Sequence, residues 1–194
     1  MKQLIACALC CLPLAGAGLR QDHQPLKIAV RVIGRGRVPA GTAAFAERIV
    51  AAIFQKAGVA IRWVDCDVAG ACQGEPGGRE LRLQFLDRFP GVLSGDAVGF
   101  AVLMHEPGDP GYAAVSWPAV LRLTEDLEVE PSAALGAAMA HELGHLLLGH
   151  THTPEGVMSP KLTRVQLVRA ARGELRFEDA QAEQIRAVIR QRRE

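Results

Sequence analysis

The stretch that most constrains this chain is 131–152. Pro131 suits the first turn of a helix, Gly149 suits its end, and the Leu-rich run between them reads as buried. Within it, residues 141–152 spell HELGHLLLGHTH. His141 and His145 stand four apart on the expected helix. Four residues turn about 400° and rise about 6 Å, so both imidazoles leave the same face one turn apart. At that spacing two ring nitrogens can meet one zinc ion at about 2.0–2.1 Å. Glu142 sits between them in sequence, where its carboxylate can lie beside a metal and take a proton from a water the metal activates. Gly149 allows a sharp turn that can return His152 as a third ligand. Three protein nitrogens leave one position open, the arrangement of a catalytic rather than a structural zinc site. Met158 follows in Gly156-Val157-Met158-Ser159, where a turn can lay its thioether under the ligands as an apolar floor. A chance His-Glu-x-x-His is about a one-in-a-hundred event at this composition. The bland alternative is a surface helix with two solvated histidines, and the Leu-rich flanks oppose it. His23 and His105 read as plain surface residues.

The rest of the chain describes an exported protein with one domain. Lys2 is followed by 4–17, an uncharged run of apolar and small residues ending in Ala15-Gly16-Ala17. This reads as a secretory signal peptide over 1–17, with 18–194 as a single domain. The run is too short for a comfortable membrane span. Cys7 lies too near the start to serve as a lipid-anchor site. Lys and Arg number 22 against 21 Asp and Glu, so removal of Lys2 leaves a balance of zero. Such a chain is not built to hold nucleic acid or anionic lipid through bulk charge. Cys66 and Cys72 remain after the leader, five residues between them in a loop-like stretch, and in an oxidising compartment they pair most simply as a disulfide.

Apolar periodicity predicts strands over 26–33, 59–64, 81–85, 97–104 and 113–117. Helices are expected from Thr42, as cap, to Lys56, over 118–127 with Ser116 as cap, over 131–148 and over 177–192. The inward stripe of the first is read as Phe45, Ile49, Ala52 and Ile53, and that of the last as Phe177, Ile185, Val188 and Ile189. This order of elements points to a mixed α/β layer fold.

Taken together, HELGHLLLGHTH and the later Met158 resemble the metzincin zinc peptidases. Their pattern is His-Glu-x-x-His-x-x-Gly-x-x-His followed by a Met-containing turn. This chain differs by one residue: Leu146, Leu147 and Leu148 separate His145 from Gly149, where the family has two residues. The chain is also similar to a group of exported bacterial metzincin-like proteins, in which a His-Ser-x-x-Gly-Ile-Met segment corresponds to 152–158 here. The resemblance implies a twisted, mostly parallel sheet of about five strands with an antiparallel edge strand at 97–104. A backing helix, an active-site helix below the cleft and a C-terminal helix complete it. It implies zinc held by His141, His145 and His152, Glu142 as general base and Met158 as the Met-turn residue. His150 competes for the third position because of the extra leucine. An acidic ligand from Glu174, Glu178 or Glu183 is a further alternative, one that leaves Met158 and Gly149 unexplained. The tyrosine that some members carry two residues after the Met is Pro160 here, and the only tyrosine is Tyr112.

The function expected from these features is zinc-dependent hydrolysis of peptide bonds in a secreted or periplasmic peptide or protein substrate. The loop 104–112 and the segment after Met158 are expected to shape its cleft, and an extended substrate is expected to pair with the edge strand. The alternative is a zinc-bearing binding or structural module without turnover. A plain interaction domain with an incidental His cluster is a third reading. The oligomeric state is open.

Overall fold

Alternating side chains decide which face of the sheet is buried. A computed structural model describes residues 25–74, 76–90, 97–103 and 111–192. The expected leader 1–17, His23, His105 and most of the loop 104–112 lie outside these residues. Strands β1 (Leu26–Ile33), β2 (Val59–Asp65), β3 (Glu80–Leu86), β4 (Gly99–Val102) and β5 (Tyr112–Ser116) form one five-stranded sheet in the order β2-β1-β3-β5-β4. All neighbours are parallel except β4, which pairs antiparallel with β5 at the sheet's edge. The alternation read in 81–85 is present: Leu81, Leu83 and Phe85 are buried between half-buried neighbours. In register with them, Val30 and Val32 of β1 and Ala113 and Val115 of β5 point to the same core.

That core is capped by helices. α1 (Ala40–Lys56) crosses from β1 to the parallel β2 and packs on α3 (Pro131–Leu148), the central helix of the domain. Glu142 is the sole Asp, Glu, Lys or Arg in α3, and its residues from Ala133 to Leu148 are buried. A helix apolar on all sides needs neighbours on all sides. α3 finds them in α1, β4 and β5, and in α2 (Trp117–Leu127), α4 (Arg164–Ala171) and α5 (Asp179–Gln191). The approach to α1 is so close that a Cβ on Gly136 would stand 2.9 Å from the Cβ of Ile49. The fold is thus α/β, with a mostly parallel sheet and an antiparallel edge strand.

The expected bounds of β1 and α3 match those observed, and Ser116 caps α2, its Oγ accepting from the Ala119 N–H at 3.3 Å. α1 differs. It starts at Ala40 behind Pro39, so Thr42 lies inside the helix rather than capping it. Its buried stripe is rotated as well. Ala43, Ala46, Ile49, Val50, Ile53 and Phe54 face inward, while Phe45 is 41% exposed with the Arg48 guanidinium over its ring. β4 is shorter than the 97–104 expected. α4 has no counterpart in the expected elements, although Thr163 and Gln166 form a capping box at its start. Cys66 and Cys72 form a disulfide across the turn after β2, with Cα atoms 5.2 Å apart. Among the described residues no helix is long and apolar enough to cross a membrane.

Candidate metal centre

α3 presents His141 and His145 one turn apart toward a cleft of about 640 Å³. One wall of the cleft is β4 with the residues before it, from Ala97 to Ala101; the other is 159–162. His141 and His145 are nearly buried, at 9% and 7% exposure. Each ring is oriented by a backbone carbonyl. Nδ1 of His141 lies 2.8 Å from the Val157 oxygen, and Nδ1 of His145 lies 2.8 Å from the Gly149 oxygen. A carbonyl only accepts, so both Nδ1 atoms carry the proton and both Nε2 atoms present a lone pair.

Those two Nε2 atoms face each other at 3.0 Å. Burial first, then the charges of His145 and His152, pull His141 down from 6.5 to about 4, against the opposing pull of the Val157 carbonyl. His145 is lowered too, chiefly by burial. At neutral pH both rings are therefore neutral, and two acceptors confront each other with no proton between them. A cation resolves this. Two nitrogens bound to one tetrahedral zinc at about 2.0–2.1 Å stand about 3.3 Å apart, close to the observed spacing.

The third imidazole arrives from the loop after α3. Gly149 ends the helix at φ +76° while its N–H still donates to the His145 carbonyl at 2.9 Å. The Thr153 N–H donates to the Met158 carbonyl at 3.0 Å and closes the loop. His152 then stacks on His141 with ring centres 5.3 Å apart and meets His145 edge-on at 4.9 Å. His141, His145 and His152 each offer a ring nitrogen within 4.8 Å of the others; they are the one such group of His, Cys, Asp and Glu among the described residues. His150 is outside it, its ring 6.1 Å from that of His145. Glu174 and Glu178 line a separate cavity with Arg169 and Arg176, and Glu183 is exposed on α5. Three imidazoles with no thiolate and no carboxylate suit zinc.

Met158 is fully buried against the helix, in a notch opened by Gly144: a Cβ there would stand 2.5 Å from the Met158 sulfur and 3.1 Å from the Phe177 ring. Phe177 in turn packs edge-on against Phe54 of α1 at 5.1 Å. Nothing in the spacing of the motif points to Gly144 or to the Val157 carbonyl, because each acts through what packs on it.

Glu142 lies beside the histidines with 6% of its surface exposed. Among the described residues its carboxylate has no hydrogen-bond or ion-pair partner, and burial pushes it from 4.5 up to about 8.

No family model matches this sequence, and neither does any curated protein. Among solved structures, archaemetzincin from Methanopyrus kandleri is similar over 89% of this chain and 99% of that one, with 18% sequence identity and a TM-score of 0.49.

Two predictions follow from the geometry of the centre. His152→Ala strips zinc from the purified protein while His150→Ala retains it; the reverse order in a metal assay moves the third ligand to His150. The second concerns Glu142 in chelator-treated protein. An acid whose pKa is raised by folding destabilises the fold above its unfolded value, here 4.5, increasingly up to about pH 8, and costs nothing below that window. Chelator-treated Glu142→Gln therefore melts above its chelator-treated parent at pH 8, and the gap closes by about pH 4. A gap that does not vary with pH contradicts a carboxylate whose pKa is raised by burial.

Proposed function

We propose that the protein is a secreted zinc-dependent peptidase that cleaves within extended polypeptide substrates. The observation that carries this reading is the juxtaposition of three converging imidazoles with the nearly buried Glu142 carboxylate, all opening on one cleft. His141, His145 and His152 hold the ion, the first two already turned by the Val157 and Gly149 carbonyls. When bound, zinc supplies a Lewis acid that acidifies a water and polarises a carbonyl.

Glu142 moves the proton. Its carboxylate accepts a proton from the attacking water as the new bond forms between the water oxygen and the carbonyl carbon. It then delivers that proton to the amine nitrogen as the carbon–nitrogen bond breaks. A base that relays a proton both ways works best with a pKa near the operating pH, and burial shifts Glu142 in that direction. Among the described residues no side chain donates a hydrogen bond to it that would have to be broken first.

The edge strand supports the substrate class. Among the described residues β4 pairs with β5 alone, and it lines the cleft that holds the histidines. An extended peptide can add there as a further strand, its backbone pairing with β4 while its scissile bond crosses the imidazoles. This mode uses the middle of a chain as readily as its end, which favours cleavage within a polypeptide. Pro160, Lys161 and Leu162 form the opposite wall and meet substrate side chains. The leader-like character of 1–17 supports export, and the Cys66–Cys72 disulfide agrees with it.

Digestion of casein and a mixed peptide library by the zinc-loaded protein tests the reading. The parent cleaves, a chelator abolishes cleavage, and Glu142→Gln keeps its zinc but loses at least about 100-fold in turnover. A zinc-loaded parent that leaves every substrate intact, or a Glu142→Gln variant that turns over at the parental rate, overturns it.

A further inference from the structure

The edge strand comes close to the proposed base at Gly99. Gly99 opens β4, opposite Val115 of β5 and on the face of the sheet that looks onto α3. A Cβ built on Gly99 would stand 2.7 Å from Cγ of Glu142, 2.7 Å from its Oε1 and 2.9 Å from the Ala114 carbonyl oxygen. Carbon and oxygen atoms that are not bonded keep about 3.5 Å or more apart, so no side chain fits there with Glu142 where it is. The bare backbone of Gly99 is thus the floor on which the Glu142 carboxylate rests. Gly99 has no left-handed φ to require a glycine. The missing side chain, rather than backbone freedom, is what the position uses. The other α3-facing residue of β4, Ala101, carries a methyl group, so the recess is local to position 99.

We propose that Gly99 is a positioning residue for the Glu142 carboxylate: its lack of a side chain lets the base lie flush against the strand on which substrate is to pair. This rests on the peptidase reading for its consequence in catalysis, though not for its geometry. A carboxylate seated against β4 lines the same cleft as the imidazoles and rests on the strand to which a peptide is to add. A methyl group at 99 has to push the Glu142 side chain away from β4, or push β4 away from β5. The two responses differ in what they change. Displacement of the carboxylate slows the chemical step while the substrate edge and the imidazoles stay in place. Displacement of the strand weakens peptide binding.

Gly99→Ala in the zinc-loaded full chain separates them. The expected result is zinc content equal to the parent, KM for a library-selected peptide within about twofold, and kcat lower by about 10- to 100-fold, the scale of a displacement near 1 Å at a reacting group. A raised KM with unchanged kcat assigns Gly99 to strand pairing and overturns the proposal. A second measurement needs no turnover. The loss in melting temperature caused by Gly99→Ala is compared in the parent and in a Glu142→Ala background. The loss is smaller in the Glu142→Ala background, because one of the two clashes has gone. Equal losses in both backgrounds overturn the seating of Glu142 on Gly99. If the zinc-loaded parent cleaves nothing, the peptidase reading falls, and the melting cycle still decides on Gly99.

Discussion

Two imidazole lone pairs held 3.0 Å apart inside a protein repel each other unless a positive charge lies between them. The arrangement here enforces that confrontation. The Val157 and Gly149 carbonyls accept hydrogen bonds from the two Nδ1–H groups, and burial keeps both rings neutral at ordinary pH. Free rotation of either ring would relieve the repulsion, but each is fixed by a carbonyl from the loop that follows α3. The energy needed to hold two acceptors together comes from the packing of that loop. A divalent ion converts the same geometry from a cost into a binding site, so binding of the ion and stability of the fold are linked.

The loop can hold the rings because the helix beneath it has been pared back. Gly144 leaves room for the Met158 sulfur, which fixes the height of the loop above α3. Phe177 lies against the same notch and passes the contact on to Phe54 of α1. About two turns earlier Gly136 brings α3 against Ile49 of α1, again with no space for a methyl group. Glycines that weaken an isolated helix by about 1 kcal/mol each are tolerated here because α3 is surrounded. What they supply is proximity: of helix to helix at 136, of loop to helix at 144, and of the edge strand to Glu142 at 99.

Much of this was legible in the chain, for local reasons. α3 runs between residues that punctuate helices, Pro131 and Gly149, and β3 alternates too regularly to be anything else. The spacing of His141 and His145 rests on helical geometry, and Gly149 marks where the chain can turn toward His152. The misses share a different cause. α1 carries apolar residues around most of its circumference, so several stripes are possible. Contact with α3 and the sheet selected Val50 and Phe54 over Phe45. α4 is eight residues long with only Leu167 and Ala170 buried, too little for a periodic signal. Gly99 is far from Glu142 in sequence, and only the pairing of β4 with β5 brings it there. Residues whose role is to be small leave no mark in a pattern of side chains.

The central claim is that three imidazoles close on one ion and leave one side of it free for chemistry. Anomalous diffraction at the zinc edge, from crystals grown with zinc, tests this most directly. The account predicts a single peak about 2.0–2.1 Å from Nε2 of His141, Nε2 of His145 and a ring nitrogen of His152, with Glu142 nearby but not bound and no fourth protein atom in contact. No peak between those rings, or a peak whose fourth ligand is a protein side chain, contradicts it.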